Sequence, residues 1–154
     1  MTARTVPLAQ DIRGLDLEDY PRCLAEVRRL TRLALTGVRT ADVDDVLLVV
    51  TELVCNAFDH GRGPRLLRLR VSPHPCVVRC EVDDTAPELP VLGRSRLGPF
   101  RGRGIVLVDR LATAWGTDRG ESGKTVWAEL DCRPVVSGDT LPAGTAGFPA
   151  VRAR

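Results

Sequence analysis

Two polar side chains with the spacing of one helical turn interrupt an apolar part of the sequence. Glu52 and Asn56 lie in TELVCNAFDHG, directly after the apolar run VLLVV. Residues four apart share one face of a helix, so the carboxylate and the amide can act on the same group. Val49 and Leu53 flank the pair, and buried polar groups are costly unless something satisfies them. A hard cation or a phosphate site would satisfy both groups, whereas the alternative is an ordinary solvated polar face.

A second candidate is the acid at the end of a strand. The segment 76–84, CVVRCEVDD, alternates between apolar and polar residues and is followed by TAP. Continuing that alternation places Asp84, rather than Asp83, on the inward side with Val82. A buried carboxylate needs a hydrogen-bond donor, and the amino group of adenine would serve. The alternative is an ordinary aspartate in a turn before Pro87.

A third candidate is the tripeptide GRG at 102–104, which precedes an apolar helical segment. Glycines at a helix N-terminus let backbone N–H groups approach a phosphate closely, with the helix dipole behind them. The pattern is shorter than G-x-G-x-x-G and lacks the Lys-Ser/Thr of a P-loop. By itself it specifies no ligand, and a loop that binds nothing could have the same sequence.

Helical and strand patterns predict how these groups are positioned. Leucine and valine spacing over 17–35 predicts a first helix ending near Gly37, and a short strand is predicted at 5–9. A second helix is predicted from Thr40, as its N-cap, to His60. Alternation then predicts strands at 66–71 and 76–84, followed by a third helix at 105–114 and a hairpin around GESG.

This succession of elements predicts an α+β fold in one domain. We expect a two-layer α/β sandwich, with a mostly antiparallel mixed sheet and helices on one face. The domain is predicted to cover residues 1–132. Residues 133–154 are rich in Pro, Gly, Ala and Thr without periodicity, which predicts a disordered tail.

Composition excludes several functional classes. A net charge of +2, without aromatics among the basic residues, argues against direct nucleic-acid binding. No apolar stretch is long enough to span a membrane and the N-terminus lacks the apolar core of a signal peptide, so the protein is expected to be cytoplasmic.

The five cysteines are predicted to be small core residues. Cys76 and Cys80 are roughly 13 Å apart if they lie on one strand, which is beyond disulfide reach. No C-x-x-C occurs, and two histidines are too few for a zinc site.

In order and spacing, the motifs resemble the GHKL ATP-binding superfamily, and within it the small bacterial anti-sigma-factor serine/threonine kinases. The resemblance covers about residues 20–131 and rests on E-x-x-x-N-A-x-x-H, D-x-x-P, GRG and GKT. Glu52 to Asn56 matches the N box, 84–87 the first glycine box, 102–104 the second and 123–125 the closing segment.

The resemblance implies a role for each matched residue. The counterpart of Asn56 holds Mg²⁺ that bridges the ATP phosphates, and that of Glu52 acts as a general base or positions the water or hydroxyl. The counterpart of Asp84 accepts a hydrogen bond from the adenine amino group. His60 occupies the family's histidine position, where we expect a structural role at the helix end.

The remaining cofactor-binding residues follow in the same way. Gly102 and Gly104 match the glycines that wrap the phosphates, and Thr125 matches a hydroxyl near the adenine. Ala86 stands where much of the superfamily has glycine. Arg103, between the two glycines, is the loop arginine best placed to add positive charge over the γ-phosphate, although a solvated loop arginine is the alternative.

The implied function is an ATP- and Mg²⁺-dependent protein serine/threonine kinase. It would bind a sigma factor or another regulator and phosphorylate an anti-anti-sigma partner of the STAS type. One alternative is a nucleotide-binding module that sequesters a partner with negligible phosphotransfer. A further alternative is a structural domain that binds no nucleotide. A homodimer is also expected, because symmetric dimers are the commonest assembly.

Overall fold

The computed structural model describes residues 12–87 and 104–136. Within these ranges the chain forms three helices and five strands. They are β1 (Ile12–Asp16), α1 (Cys23–Ala34), α2 (Thr40–His60), β2 (Leu66–Pro73), β3 (Cys76–Asp84), α3 (Gly104–Leu111), β4 (Ala114–Gly120) and β5 (Gly123–Asp131).

The five strands form one sheet in the order β1-β2-β3-β5-β4. Each neighbouring pair is antiparallel. Strands β2 and β3 form one hairpin and β4 and β5 another, and α3 connects them so that β5 lies beside β3. The predicted α+β sandwich is confirmed, and every described strand pair in it is antiparallel.

The core lies between one face of the sheet and α2. The inward residues of three strands are buried: Leu67, Leu69, Val71, Val78, Cys80, Val82, Val126, Ala128 and Leu130. Helix α2 packs on β3 and β5 and buries Val46, Val49, Val50, Leu53, Val54 and Ala57. Because α2 also contacts α1 and α3, it is buried on more than one side. A polar group on one of its buried sides must therefore find a partner in a crowded environment.

The limits of α2 agree with the prediction, but its cap does not. The helix runs over Thr40–His60, and the N-cap is Arg39, whose backbone is extended with ψ 140°. Thr40 is therefore the first helical residue rather than the cap. Helix α1 is shorter than predicted, and its buried positions Val27, Thr31 and Ala34 keep helical spacing.

Two of the five cysteines form a disulfide, so the prediction that all are small core residues is wrong for them. Cys76 and Cys132 are bonded, with their Cα atoms 5.0 Å apart. Cys76 begins β3 and Cys132 follows β5, and the antiparallel register brings these strand ends together. Cys80 is fully buried, as predicted.

The chain remains attached to the fold beyond the predicted domain limit at residue 132. The backbone N–H of Val135 donates to the carbonyl oxygen of Gly37 at 2.7 Å, and Val38 forms a β-bridge with Pro134. The predicted strand at 5–9 and most of the predicted tail, residues 137–154, lie outside the described residues. No helix in the described ranges is long and apolar enough to cross a membrane.

Candidate functional site

Asn56 presents a buried polar atom to which the described part of the chain provides no partner. It lies in the last third of α2, and its Nδ2 atom makes no hydrogen bond within those residues. An unsatisfied buried donor typically costs about 1–3 kcal/mol. The two ends of an amide side chain are nearly isosteric, so rotation would present Oδ1 at the same position. This position therefore fits the amide ligand of a cation or a polar ligand group.

Glu52 lies one turn earlier on α2, beside a cavity of about 340 Å³. The cavity lies between α1 and α2 and is also lined by Arg28, Arg32, Leu48 and Thr51. Burial raises the pKa of the Glu52 carboxyl above its ordinary value, and the negative charge of Asp59 raises it further. A carboxylate with a raised pKa is a better proton acceptor near neutral pH than an ordinary glutamate.

Asp84 points inward, as the alternation of β3 predicts, and its side chain is only 2% exposed. Its Oδ1 atom accepts a hydrogen bond from the backbone N–H of Ala86 at 2.7 Å and from Nζ of Lys124 at 3.1 Å. The Lys124 ammonium also donates to the carbonyl oxygen of Ala86 at 3.3 Å. The end of β3 therefore holds a buried ion pair.

Sequence reasoning did not assign Lys124 to the site. Strand β5 alternates, with Val126 and Ala128 on the buried face, and the same period places Lys124 inward. The register confirms this placement, because Lys124 lies directly opposite Asp84 across the β3–β5 ladder. The alternation of β5 is therefore the sequence signal that predicts the inward position of Lys124.

Two glycines allow the chain to pack directly on Asp84. A Cβ atom on Gly61 would lie 2.6 Å from Cγ of Asp84, and one on Gly123 would collide with the Asp84 backbone. Gly123 also has a positive φ of 151°, which side chains disfavour. Gly61 follows α2 directly and Asn56 precedes it by five residues, roughly 7.5 Å along a helix axis. Asn56 therefore lies within two helical turns of Gly61, the residue that packs on Asp84.

Arg65 holds this end of the helix in place. Its Nε donates to the carbonyl oxygen of Ala57 at 2.7 Å and its Nη2 to that of Gly61 at 3.1 Å. The guanidinium also lies 4.3 Å from the ring centroid of Phe58. These contacts satisfy carbonyl groups that a helix C-terminus leaves without intrahelical partners.

Thr125 and Asp84 line the same cavity but face opposite sides of the sheet. The cavity has a volume of about 440 Å³ at this end of the sheet, and Lys124 also borders it. The Thr125 hydroxyl donates to Oδ1 of Asp83 at 2.5 Å, and Nη2 of Arg68 donates to the same oxygen at 2.8 Å. The predicted hydroxyl therefore lies near Asp84 but is bonded to its neighbour.

The other predicted residues have the following positions. Ala86 is buried against Asp84, His60 is the last residue of α2, and Gly104 is the first residue of α3. Gly102 and Arg103 lie outside the described residues. Glu52 lines the cavity between α1 and α2, whereas Asp84 lines the cavity at the sheet end.

The donor set suits a cation only if a ligand supplies most of its coordination. Across 12–87 and 104–136 no cluster of three or more His, Cys, Asp or Glu side chains could hold a metal ion. Mg²⁺ usually takes one or two protein oxygens, and waters and substrate phosphates complete its octahedron. Asn56 fits that pattern as a single protein ligand.

Comparison with protein families identifies the fold. Residues 16–130 match the family described as the histidine kinase-like ATPase domain. The chain belongs to this family. The predicted resemblance to GHKL-type proteins is thus confirmed, and the matched segment of the ATPase domain includes every described site residue.

A solved structure agrees with this assignment at the level of the fold. The ATPase domain is similar to a structure of the RsbU and RsbW domains of Rv1364c from Mycobacterium tuberculosis, with a TM-score of 0.57 and 20% identity. That match covers 80% of this chain and 34% of the other, so this chain spans about a third of the length of the chain it matches.

A second match is the histidine kinase domain of a blue-light activated histidine kinase from Erythrobacter litoralis. Its TM-score is 0.41 at 19% identity, covering 71% of this chain and 58% of the other. No curated protein matches the sequence.

Proposed function

We propose that this ATPase domain is an Mg²⁺- and ATP-dependent protein serine/threonine kinase. It would act as an anti-sigma-factor-like regulator and transfer the γ-phosphate to a serine or threonine of an anti-anti-sigma protein of the STAS type. The buried Asn56 amide without a partner carries the proposal, because it is placed one turn from a carboxylate with a raised pKa. Family membership supports the nucleotide, and these two residues support the chemistry.

Each residue would have a distinct task. Asn56 would hold Mg²⁺ through its amide oxygen, and Asp84 would accept a hydrogen bond from the adenine amino group. Bound Mg²⁺ would supply positive charge against the phosphate oxygens. Glu52 would accept the proton of the partner's hydroxyl as the hydroxyl oxygen bonds to the γ-phosphorus. The bond from the γ-phosphorus to the β–γ bridging oxygen would break in the same transfer, so that ADP leaves. Positioning and charge neutralisation of this kind account for most of the catalysis of phosphoryl transfer.

The predicted phosphate contacts of Gly102, Arg103 and Gly104 complete the proposed site, with Thr125 and Ala86 near the adenine. The partners are proposed from the family resemblance and from the fold likeness to a structure that contains an RsbW domain. A sigma factor would be the sequestered partner, and the STAS protein would be the phosphorylated one.

The test is transfer of labelled γ-phosphate to candidate STAS proteins, with ATP affinity measured in parallel by calorimetry. Glu52→Gln should lower the transfer rate about 100-fold or more while ATP affinity changes little, because only proton acceptance is lost. The matched control is Glu26→Gln, which removes an exposed carboxylate paired with Arg29 on α1 and should leave the rate unchanged.

Asn56→Ala separates metal binding from base catalysis. It should abolish the gain in ATP affinity that Mg²⁺ gives the wild type. ATP binding by the wild type without transfer to any STAS protein would favour the alternative, a module that sequesters its partner. Failure of the wild type to bind ATP would refute both the proposed kinase and the sequestering module.

A further inference from the structure

The buried Asp84–Lys124 pair offers a ligand two complementary groups side by side. The side chains are 2% and 3% exposed, and Oδ1 of Asp84 lies 3.1 Å from Nζ of Lys124. A carboxylate only accepts hydrogen bonds at neutral pH and an ammonium only donates them. Both residues border the cavity of about 440 Å³ at the end of the sheet. A base that contacts this pair would meet an acceptor and a donor about one hydrogen-bond length apart.

Stability alone does not explain a lysine at this position. The backbone N–H of Ala86 already donates to Asp84, and a buried ion pair is frequently no more stable than apolar side chains of similar volume. The Lys124 ammonium donates to Asp84 and to the carbonyl oxygen of Ala86. A lysine ammonium has three N–H groups, so these contacts account for two of them.

The neighbouring backbone fixes where that ammonium can lie. Gly123 precedes Lys124 with a positive φ and packs on the Asp84 backbone, and the register sets Lys124 directly opposite Asp84. Because the two strands hold both Cα atoms, Asp84 and Lys124 lie side by side at the end of the ladder. The donor and the acceptor are therefore presented in a fixed order.

We propose that Lys124 reads the purine base, donating to N1 of adenine while Asp84 accepts from the adjacent 6-amino group. This inference rests on the proposed function, since it assigns a second base contact to the same nucleotide. The adenine edge has a donor, the amino group, next to an acceptor, N1, and so matches the pair. Guanine places an acceptor, O6, where Asp84 would need a donor, so the same pose disfavours it.

The test compares ATP with 1-deaza-ATP, in which N1 is replaced by C–H, and with 7-deaza-ATP as the matched control ligand. Wild-type protein should bind 1-deaza-ATP about 10- to 100-fold more weakly than ATP, because a charge-assisted hydrogen bond is lost. Binding of 7-deaza-ATP should be within about threefold of that of ATP, a difference below a typical hydrogen bond.

Lys124→Met should bind ATP and 1-deaza-ATP equally, since the donor to N1 is absent. Arg119→Met is the control variant, because Arg119 pairs with Lys124 across the β4–β5 ladder and is exposed. It should retain the wild-type preference for ATP. Thermal melting of both variants checks that they are folded, and the wild-type ligand comparison remains decisive if Lys124→Met is not.

Equal wild-type affinities for ATP and 1-deaza-ATP would overturn the assignment. So would a Lys124-dependent loss with 7-deaza-ATP, which would place the contact at N7. Both results leave ATP binding intact, so they are distinct from failure of the proposed function, in which the wild type binds no ATP.

Discussion

The two ends of α2 differ in whether their buried polar groups have hydrogen-bond partners. Near its start, Asp42 is buried and accepts three hydrogen bonds from Arg133, at 2.9 Å from the backbone N–H, 3.1 Å from Nε and 2.9 Å from Nη2. Near its end, Nδ2 of Asn56 has no partner within the described ranges. The chain supplies what the first end needs, whereas the second end has a requirement that a ligand can meet.

The carboxyl groups of the same helix show this difference in their pKa values. The hydrogen bond from Arg133 lowers the pKa of Asp42, whereas burial raises the pKa of Glu52. Asp42 therefore favours the folded state when it is ionised, and Glu52 disfavours it. A group held in a state that opposes folding is typical of a functional site.

Breaking the ion pair at the ligand end should have the largest effect on stability. Asp84→Ala leaves the buried Lys124 ammonium without its carboxylate, and the free energy of unfolding should fall by about 3–5 kcal/mol. Urea denaturation measures this change. The double variant Asp84→Ala/Lys124→Met should recover most of the loss, since no charge remains buried. A single variant as stable as the wild type would show that the pair is not buried in solution.

Breaking the disulfide should have the next largest effect on stability. The disulfide lies at the opposite end of the sheet from Asp84. Cys132→Ser opens a link between residues 56 apart in sequence and should lower the free energy of unfolding by about 2–4 kcal/mol. Nucleotide affinity should be unchanged, because Cys76 lies at the other end of β3 from Asp84. Cys76→Ser should have the same effect on stability. Identical melting of oxidised and reduced wild type would contradict the link.

A smaller effect is expected at Asp42. Asp42→Asn should lower stability at neutral pH by about 1 kcal/mol, because the Arg133 side chain is 63% exposed and water screens the pair. The lowered pKa means that this contribution is present above the ordinary pKa of an aspartate and lost as pH falls through the folded value. Wild type and variant should thus converge in acid, as thermal melts across pH would show. If the difference in stability between wild type and Asp42→Asn were the same at every pH, the effect would come from packing and not from the charge of Asp42.

The smallest effect on stability is expected at Glu52, and its sign is reversed. Glu52→Gln should raise the free energy of unfolding at neutral pH slightly, by about 0.5 kcal/mol or less. With a raised folded pKa, the ionised form is the disfavoured one, so the gain should develop as pH rises from the ordinary pKa of a glutamate through the folded pKa, and it should vanish below the ordinary pKa. Melting temperatures compared at acid and neutral pH measure it. A destabilised variant at neutral pH would show that Glu52 is satisfied in the fold.

Local periodicity was sufficient to predict the elements that carry the site. The limits of α2 and the inward orientation of Asp84 follow from strong 3.6- and 2-residue patterns. Lys124 obeys the same two-residue pattern, but a lysine on a strand is ordinarily exposed, which argues against an inward position. The usual exposure of lysine therefore conflicts with the alternation of β5, and in the structure the alternation decides the orientation of Lys124.

Pairs of residues far apart in the sequence could not be predicted in this way. Cys76 and Cys132 are 56 residues apart, and Asp42 and Arg133 are 91 apart. No period links such positions, and their proximity depends on the order in which the strands assemble. Tertiary structure likewise sets the partner of Thr125, whose hydroxyl is bonded to Asp83.

The bond between Cys76 and Cys132 turns the stretch from 76 to 132 into a covalent ring that includes Asp84, α3 and Lys124. A protease that cuts this ring once would add one water to the molecule without releasing a fragment. In denaturing electrophoresis the two pieces would migrate together without a reductant. After a reductant is added, they would migrate as separate chains.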